Sequence, residues 1–418
     1  MITKKKLFAA LLISAILLVP AKVTASTPTS HWGHSPSNTE AINIAVIRIN
    51  FTDNLSSPGS ATLIGDLLFN EPDIDKKRMS LAFFYQTASY GRVQVTGSVF
   101  PTITIVRTSR DCDDYKTWGR TAREALESQG TNLDEHTHMM YFWPPQGCYY
   151  AGIAELPGDE SGMNLWRRWW RTTDGQGDAM DTMIHELGHN LGAPHSGAIR
   201  CRAGGVSVAG ITEKCRAPWA FGRFGGSDTW VYGENLDVMG GNLYLPFRAL
   251  PSSASRFTMG FLTEEEMPLI EAAGAYEIEL NPLNEPNAAI KGYRIRRPNV
   301  EAYGLWGMST HKTAPEICLD WRERGTLFDR FPSSISRGIS IRLCDVTGTQ
   351  QRGTHGNAVL VDTTPGSRSG FRDWLDGSLR VGNSFVDEVS GIRIKLLSIQ
   401  RDPTNNALSR ARLRIEIP

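Results

Sequence analysis

The stretch at residues 181–196, DTMIHELGHNLGAPHS, constrains this chain more than any other part of the sequence. It contains the spacing H-E-x-x-H-x-x-G-x-x-H, which is formed by His185, Glu186, His189, Gly192 and His195. Two histidines four positions apart on a helix lie one above the other on the same face, within reach of a single metal ion. This spacing therefore predicts a zinc site.

A helix is expected around these histidines because apolar side chains recur there at three- and four-residue steps, namely at Met180, Met183, Ile184, Leu187 and Leu191. His185 and His189 fall on the opposite side of this helical wheel. We therefore expect the apolar side to pack on the core and the imidazoles to face a cleft. Gly192 tolerates the left-handed backbone that ends a helix, and Pro194 prevents the helix from resuming.

The turn at Gly192 brings His195 back as a third ligand. Three protein ligands leave the fourth tetrahedral position to water, as in catalytic rather than structural zinc sites. Glu186 adjoins the first ligand and can accept a proton from that water. We predict one catalytic Zn²⁺ bound by His185, His189 and His195, with Glu186 as the general base and no other cofactor.

These residues resemble the metzincin clan of zinc metalloproteases, whose signature is this long motif followed by a methionine turn. The candidate turn is YGENLDVMGG at residues 232–241, in which Met239 follows His195 by 44 residues. Its Asp-x-Met-Gly form is most similar to the gametolysin family, peptidase family M11, and SYGRVQVTGSV at residues 89–99 also resembles that catalytic domain. The resemblance implies a metalloendopeptidase in which Met239 lies under the zinc as an apolar floor without binding it.

Some metzincins also place a tyrosine near the zinc, two residues after this methionine. Here that position is Gly241, which cannot supply a phenol. Tyr232 and Tyr244 are the nearby tyrosines, and we interpret both as packing residues.

The first 25 residues have the pattern of a secretory signal. Three lysines at residues 4–6 precede an apolar run at 7–19, and a small-residue cleavage site follows at 23–25. The run has 13 residues, too few to span a bilayer comfortably. We expect an extracellular or periplasmic protein, without stable membrane insertion after cleavage. Residues 26–40, rich in Ser, Thr and Pro, are expected to form a flexible leader.

The cysteines agree with export to an oxidising compartment, because the chain has an even number of them, six. Six cysteines allow 15 pairings. From short loop closure we predict the pairs Cys112–Cys148, Cys201–Cys215 and Cys318–Cys344. Basic and acidic residues both number 44, and this balance gives no indication of a nucleic-acid partner.

The elements predict an α+β fold with two units. Strands and helices alternate through residues 41–262, which indicates a zincin-type catalytic domain with a mixed twisted sheet and an active-site helix. Residues 263–418 carry short alternating segments and no long helical pattern, which predicts a β-sandwich domain. Its expected strands lie at 276–280, 291–296, 317–321, 338–344, 358–361, 392–398 and 411–417.

The resulting hypothesis is a secreted monomeric metalloendopeptidase that acts on protein or peptide substrates. An enzyme alternative is a thermolysin-like peptidase whose third ligand is Glu213 or Glu234 instead of His195. A second alternative, from another class, is a secreted adhesin or binding module that zinc merely stabilises. The basic aromatic run WRRWWR at 166–171 is interpreted as a wall of the cleft.

Overall fold

The structure is a computed structural model that describes residues 40–72, 79–108, 112–145, 148, 150–164, 178–204, 206–216, 232–241, 249–300, 310–325, 327–346, 358–367, 373 and 375–418. Within these ranges the chain is an α+β protein with three sheets, as the sequence predicts. The predicted signal peptide, the predicted leader up to residue 39, Tyr244 and the run at 166–171 lie outside the described residues.

The described α-helices are α1 (Ala61–Phe69), α2 (Leu81–Ala88), α3 (Tyr115–Ser128), α4 (Asp178–Asn190), α5 (Ser253–Thr258), α6 (Thr310–Thr313) and α7 (Ser333–Ser336). Apolar side chains at helical spacing predict a helix at 115–128, and α3 has these bounds, whereas the sequence does not predict α1. Ser60 and Ser80 cap α1 and α2, since their hydroxyl oxygens accept from the backbone N–H groups of Leu63 and Phe83. The sequence also predicts a helix at 76–88, and within the described residues α2 begins at Leu81, after its Ser80 cap.

The strands follow in chain order. The first ten are β1 (Glu40–Phe51), β2 (Val93–Val99), β3 (Ile103–Ile105), β4 (His138–Phe142), β5 (Gly152–Ala154), β6 (Glu160–Met163), β7 (Ser196–Ala203), β8 (Val206–Val208), β9 (Gly210–Ile211) and β10 (Cys215–Arg216). The others are β11 (Leu269–Ile270), β12 (Gly274–Leu280), β13 (Tyr293–Arg296), β14 (Glu316–Asp320), β15 (Gly338–Cys344), β16 (Ala358–Val361), β17 (Leu379–Arg380), β18 (Ser384–Asp387), β19 (Arg393–Gln400) and β20 (Arg410–Ile417).

The first sheet has the described order β2-β1-β4-β6-β5, with β3 also on β1. All its pairs are parallel except β5 with β6. The alternation at residues 42–49, INIAVIRI, predicts a strand with one well-buried face, but both faces of β1 are buried. Ile44 and neighbours pack with Ile184 of α4, while Ile47 and neighbours pack with Trp118 of α3. A central parallel strand is covered by helices on both sides, which explains its nearly continuous apolar run.

Glu40 shows one further difference from the sequence prediction. The predicted leader extends to residue 40, whereas Glu40 is the first residue of β1 and pairs with Val93. The sheet pairing of β1 with β2 therefore begins two residues before the apolar alternation at Ile42 becomes visible in the sequence.

The other two sheets share one hydrophobic core. The described strand order is β10-β7-β16-β15-β14-β13-β11 in the second sheet and β12-β20-β19-β18-β9 in the third. Ile341 of the second sheet and Leu413 of the third belong to the same buried cluster. The seven strands predicted after residue 262 are all present, within a few residues of their expected bounds.

These two sheets also cross the predicted boundary between residues 262 and 263. Strands β7, β8 and β10 join the second sheet, and β9 joins the third, although all four precede the boundary. The connection follows from β7, because this strand leaves the end of the zinc motif and pairs in parallel with β16. The two units predicted from the sequence therefore share a sheet.

Each of the three predicted cysteine pairs is a disulfide: Cys112–Cys148, Cys201–Cys215 and Cys318–Cys344. The pairing prediction is confirmed. Within the described ranges, none of the helices combines the length and the hydropathy that a membrane span requires.

A partly buried ion cluster connects the first sheet to the chain beyond residue 262. Arg92, just before β2, donates to both carboxylate oxygens of Glu266 at 2.7 and 2.9 Å, and Lys291 donates to the same carboxylate at 2.7 Å. Burial alone raises the pKa of Glu266, but the hydrogen bonds from Arg92 and Lys291 outweigh it and lower the pKa to about 2. The ionised carboxylate is therefore strongly favoured in the folded chain.

We expect Glu266→Gln to lower the free energy of unfolding by about 3 kcal/mol at pH 7. Because the folded pKa of Glu266 lies below its ordinary value of 4.5, its stabilisation is complete above that pH and falls as the pH drops toward 2. Urea denaturation at pH 7 and pH 3 measures the difference from wild type. The exposed Glu277, paired with Arg412, provides the control Glu277→Gln, with a change below about 0.5 kcal/mol. A Glu266 effect of equal size at both pH values would contradict the prediction.

Candidate metal centre

Helix α4 carries the first three residues of the motif. The apolar side chains predicted to face the core are all buried there: Met180, Met183, Ile184, Leu187 and Leu191. They pack in the same cluster as Ile44 of β1 and Tyr85 of α2. The Tyr85 hydroxyl also donates to the Ile184 carbonyl oxygen at 2.6 Å, which fixes the helix against α2. The periodicity in the sequence therefore predicts correctly which side of α4 faces the core.

The helix ends where Gly192 was expected to end it. Gly192 has a φ of +93°, the left-handed conformation that glycine adopts without strain. The N–H of Gly192 donates to the His189 carbonyl oxygen at 2.8 Å, and the N–H of Ala193 donates to that of Gly188 at 2.9 Å. This turn reverses the chain and returns His195 to the helix.

The three motif histidines converge. The ring centroids are 4.6 Å apart for His185 and His189, 5.1 Å for His185 and His195, and 4.7 Å for His189 and His195. The Nε2 atoms of His189 and His195 lie 3.1 Å apart. One nitrogen from each ring falls within 4.8 Å of the others, so the three rings form a candidate metal-binding group.

Two of these rings are oriented by backbone carbonyl groups. The Nδ1 atom of His185 lies 2.9 Å from the Val238 carbonyl oxygen, and that of His189 lies 2.7 Å from the Ala193 carbonyl oxygen. A carbonyl oxygen only accepts, so each Nδ1 carries the proton and donates it. Each Nε2 therefore presents a lone pair, the arrangement that a metal-ligating histidine requires.

Burial favours the neutral form of these imidazoles. It lowers the pKa of His185, although the hydrogen bond to Val238 acts in the opposite direction. Burial, and then the charge on His185, lower the pKa of His189 well below its usual value. A neutral imidazole is the form that binds a metal ion, so burial prepares the site for a cation.

The donor set fits zinc. Imidazole nitrogens bind Zn²⁺ at about 2.0–2.1 Å, and two of them at a tetrahedral angle are then about 3.3 Å apart. The Nε2 atoms of His189 and His195 are 3.1 Å apart, close to that separation. Three nitrogen ligands and one open position are the composition of a catalytic zinc site.

Glu186 directly follows His185 on α4, and 5% of its surface is exposed. Burial raises the pKa of Glu186 to about 8. Strand β5 passes directly against this side chain, since a Cβ added at Gly152 would lie 2.4 Å from the Glu186 Oε1 atom. A side chain at residue 152 would therefore displace the carboxylate.

The methionine loop, defined here as residues 232–241, packs against the α4 backbone at Gly188. Met239 is buried, and its Sδ atom would be 2.5 Å from a Cβ added at Gly188, which separates the first two histidines. The resemblance placed Met239 beneath the histidines, and the structure brings it to the helix turn that carries them.

Gly240 and Gly241 close this loop on itself. A Cβ at Gly240 would lie 1.9 Å from the Glu234 carbonyl oxygen, and one at Gly241 would lie 2.3 Å from the Tyr232 carbonyl oxygen. No side chain fits at residue 241, so a tyrosine at that position is sterically excluded. The Tyr232 ring instead lies over His195, with 4.0 Å between the ring centroids.

The proposed acidic third ligands lie elsewhere. Glu213 is paired with Lys312, and Glu234 is buried in an ion pair with Arg342. Neither carboxylate belongs to the group formed by the motif histidines. Of the three candidates for the third ligand, His195 lies with the two histidines of the helix, and neither Glu213 nor Glu234 does.

A second group with metal-ligating side chains occurs in the described residues, at Glu316, Cys318 and Cys344. The two cysteines of this group form a disulfide, so they offer no thiolate. The histidine group is therefore the stronger candidate.

Some neighbours of the site were not predicted from the sequence. Val238 orients His185 through its carbonyl oxygen, and Gly152 contacts Glu186 across more than thirty residues of chain. Every residue has a backbone carbonyl group, so the residue type at 238 gives no indication that its carbonyl oxygen accepts from His185. The only available signal for Gly152 was the general association of a strand glycine with close backbone approach.

No protein-family model matches this sequence, and no curated protein matches it. One of the solved structures that match is described as "Structure of a chaperone-substrate complex". It is 14% identical, the match covers 38% of this chain and 24% of that chain, and the TM-score is 0.24. A TM-score this low supports no conclusion on fold or function.

Proposed function

We propose that this protein is a secreted zinc metalloendopeptidase of the metzincin type. His185, His189 and His195 would bind one zinc ion, and Glu186 would be the general base. The observation that carries the proposal is the convergence of three imidazoles, two of which have their Nε2 lone pairs set by backbone acceptors. The buried Glu186 directly follows the first of these histidines on α4. The long motif and the methionine loop support the same assignment through the family resemblance.

The proposed chemistry is hydrolysis of a peptide bond by activated water. A bound zinc ion supplies Lewis-acid polarisation of the scissile carbonyl group and acidifies water at the site. Glu186 accepts the proton of the attacking water and then donates it to the leaving amine.

The substrate is proposed to be an extended peptide beside β5. Strand β5 is the last in the described order of the first sheet, and its Gly152 lies against Glu186. An extended peptide that adds to a sheet edge gains main-chain hydrogen bonds without regard to its side chains. Pairing along β5 would place a peptide bond next to the general base.

The proposal also includes two units, a zincin-type catalytic unit built on the first sheet and α1–α4, and a β-sandwich formed by the other two sheets. The three disulfides are compatible with secretion, because such bonds persist in oxidising compartments. Proteins or peptides outside the cytosol would then be the substrates, and we expect the protein to act as a monomer.

The test is cleavage of a denatured protein mixture by the purified chain, with and without a zinc chelator, followed by mass spectrometry of new termini. We expect new termini that disappear with the chelator and return when zinc is added. A chain that binds zinc with three imidazoles and generates no new termini would contradict the proposal. That result would favour a zinc-stabilised binding module.

A further inference from the structure

A buried arginine of the second sheet holds the methionine loop. Arg342, on β15, has its Nε atom 3.0 Å from both carboxylate oxygens of Glu234 in the loop. Its Nη1 atom donates to the Asp320 carboxylate, on β14, at 2.7 Å. All three side chains are fully buried, and a buried charge is tolerated only with its partners in place. The triad therefore ties Glu234 to two strands of the second sheet.

Two further contacts fix the same loop. Arg322, which follows β14, donates to the Leu236 carbonyl oxygen and, at 2.7 Å, to the Leu250 carbonyl oxygen. Asp237 accepts from the Met239 N–H at 2.9 Å and from the Ser252 N–H at 2.8 Å. The backbone at residues 234–239 is thus bound to groups that lie far away in sequence.

This part of the loop contacts His185 and the residue that follows His195. The Val238 carbonyl oxygen accepts from His185, as described above. The Ser196 N–H, one residue after His195, donates to the Met239 carbonyl oxygen at 2.8 Å, and the Glu234 N–H donates to the Ser196 carbonyl oxygen at 3.2 Å. A shift of Glu234 would therefore move the acceptor of His185 and the backbone next to His195 together.

Strand β7 makes a second connection to the same sheet. Ser196, its first residue, pairs with Ala358 of β16, and β16 pairs with β15, which carries Arg342. The backbone next to the third imidazole and the anchor of the methionine loop thus belong to one sheet, with β16 between β7 and β15. Fixed geometry, rather than net stability, is the main effect expected of such an ion triad, because the cost of desolvation offsets most of its attraction.

We propose that Arg342 is a positioning residue of the metal centre, acting through Glu234 and the methionine loop on His185 and His195. The second sheet is then a necessary part of the catalytic unit and not only a separate module. This inference rests on the proposed function, since it requires a metal ion at the imidazoles.

The test is zinc affinity in full-length variants, measured by competition with a chromophoric chelator at a temperature where each variant is folded. Arg342→Lys keeps the positive charge but loses the planar fork that spans both oxygens of Glu234. Glu234→Gln keeps the shape of the loop residue and removes its charge. We expect the zinc dissociation constant to rise about 10- to 100-fold in each, the usual effect of losing an outer-shell partner.

The matched control is Arg297→Lys. Arg297 is also buried, and it donates to the buried Asp387 at 2.7 Å and to the Ala314 carbonyl oxygen at 2.7 Å, neither of which lies in the methionine loop. We expect this variant to lose stability as Arg342→Lys does, with zinc affinity within about twofold of wild type. The visible spectrum of the cobalt-substituted protein should change for Arg342→Lys and not for Arg297→Lys, because cobalt absorption reports ligand geometry.

The possible outcomes separate this inference from the function on which it rests. Wild-type zinc affinity in Arg342→Lys, or in Glu234→Gln if the former does not fold, would overturn the positioning role. An equal loss of affinity in Arg297→Lys would overturn it as well, because the effect would then be general destabilisation. A wild-type chain that binds no zinc would reject the metal centre itself.

Discussion

Glu186→Gln is expected to reduce kcat for peptide hydrolysis about 1,000-fold while leaving zinc affinity nearly unchanged. Glutamine has almost the same shape, so the contact with Gly152 of β5 is preserved. The amide cannot accept a proton from water, which removes the general base. The three imidazoles are not altered, so the metal ion should still bind with its native stoichiometry.

Glu160→Gln is the matched control for this variant. Glu160 is nearly as buried as Glu186, but its carboxylate contacts Tyr141 and Arg123 on the first sheet and its neighbouring helix. We expect kcat within about threefold of wild type for this control, since its side chain is not in the site. Steady-state kinetics on a fluorogenic peptide, with zinc measured in the same samples, would compare the two. Near-wild-type kcat in Glu186→Gln would refute the role of Glu186.

His195→Ala is expected to weaken zinc binding by more than about 100-fold and to abolish detectable peptide hydrolysis. The reason is geometric, since His195 supplies the nitrogen that lies 3.1 Å from the Nε2 atom of His189. Loss of a ligand should exceed the 10- to 100-fold cost of losing an outer-shell partner of a ligand. Equilibrium competition with a chelator measures the affinity.

His138→Ala is the control for that experiment, because His138 lies on β4 and is not among the candidate ligands. We expect zinc affinity and turnover within about twofold of wild type. Unchanged affinity in His195→Ala would favour an acidic third ligand, as in the thermolysin-like alternative. The ion pairs of Glu213 with Lys312 and of Glu234 with Arg342 argue against it.

The helix and its motif could be predicted because their determinants are local. The spacing of His185, His189 and His195, the apolar stripe of α4 and the glycine at its end all lie within sixteen residues. Helix periodicity and a left-handed glycine depend on residue type and position alone. The disulfide pairs followed from short loop closure for the same reason.

The arrangement of the sheets could not be predicted from such local determinants. The apolar alternation of β1 predicts one buried face, whereas its partners β2 and β4 place it in the centre of a sheet with helices on both sides. Strand β7 looks like the continuation of the zinc motif in sequence, yet it pairs with β16, which begins more than 150 residues later. Pairing between distant strands leaves no mark in either strand alone.

The surroundings of the candidate site could not be predicted from the sequence for the same reason. Gly152, Val238 and Arg342 contribute a close backbone approach, a carbonyl oxygen and a buried charge, and each reaches the site from a different element. Arg342 was part of a predicted strand, where a lone arginine normally faces solvent. Only the packing of β15 against the methionine loop identifies its partner.

X-ray absorption spectroscopy of the purified wild-type protein tests the central claim most directly, because it counts and identifies the atoms bound to zinc. The account predicts one zinc ion per chain, with three imidazole nitrogens at about 2.0–2.1 Å and one further light-atom ligand. Sulfur ligands at about 2.3 Å, fewer than three imidazoles, or no zinc at all would contradict it.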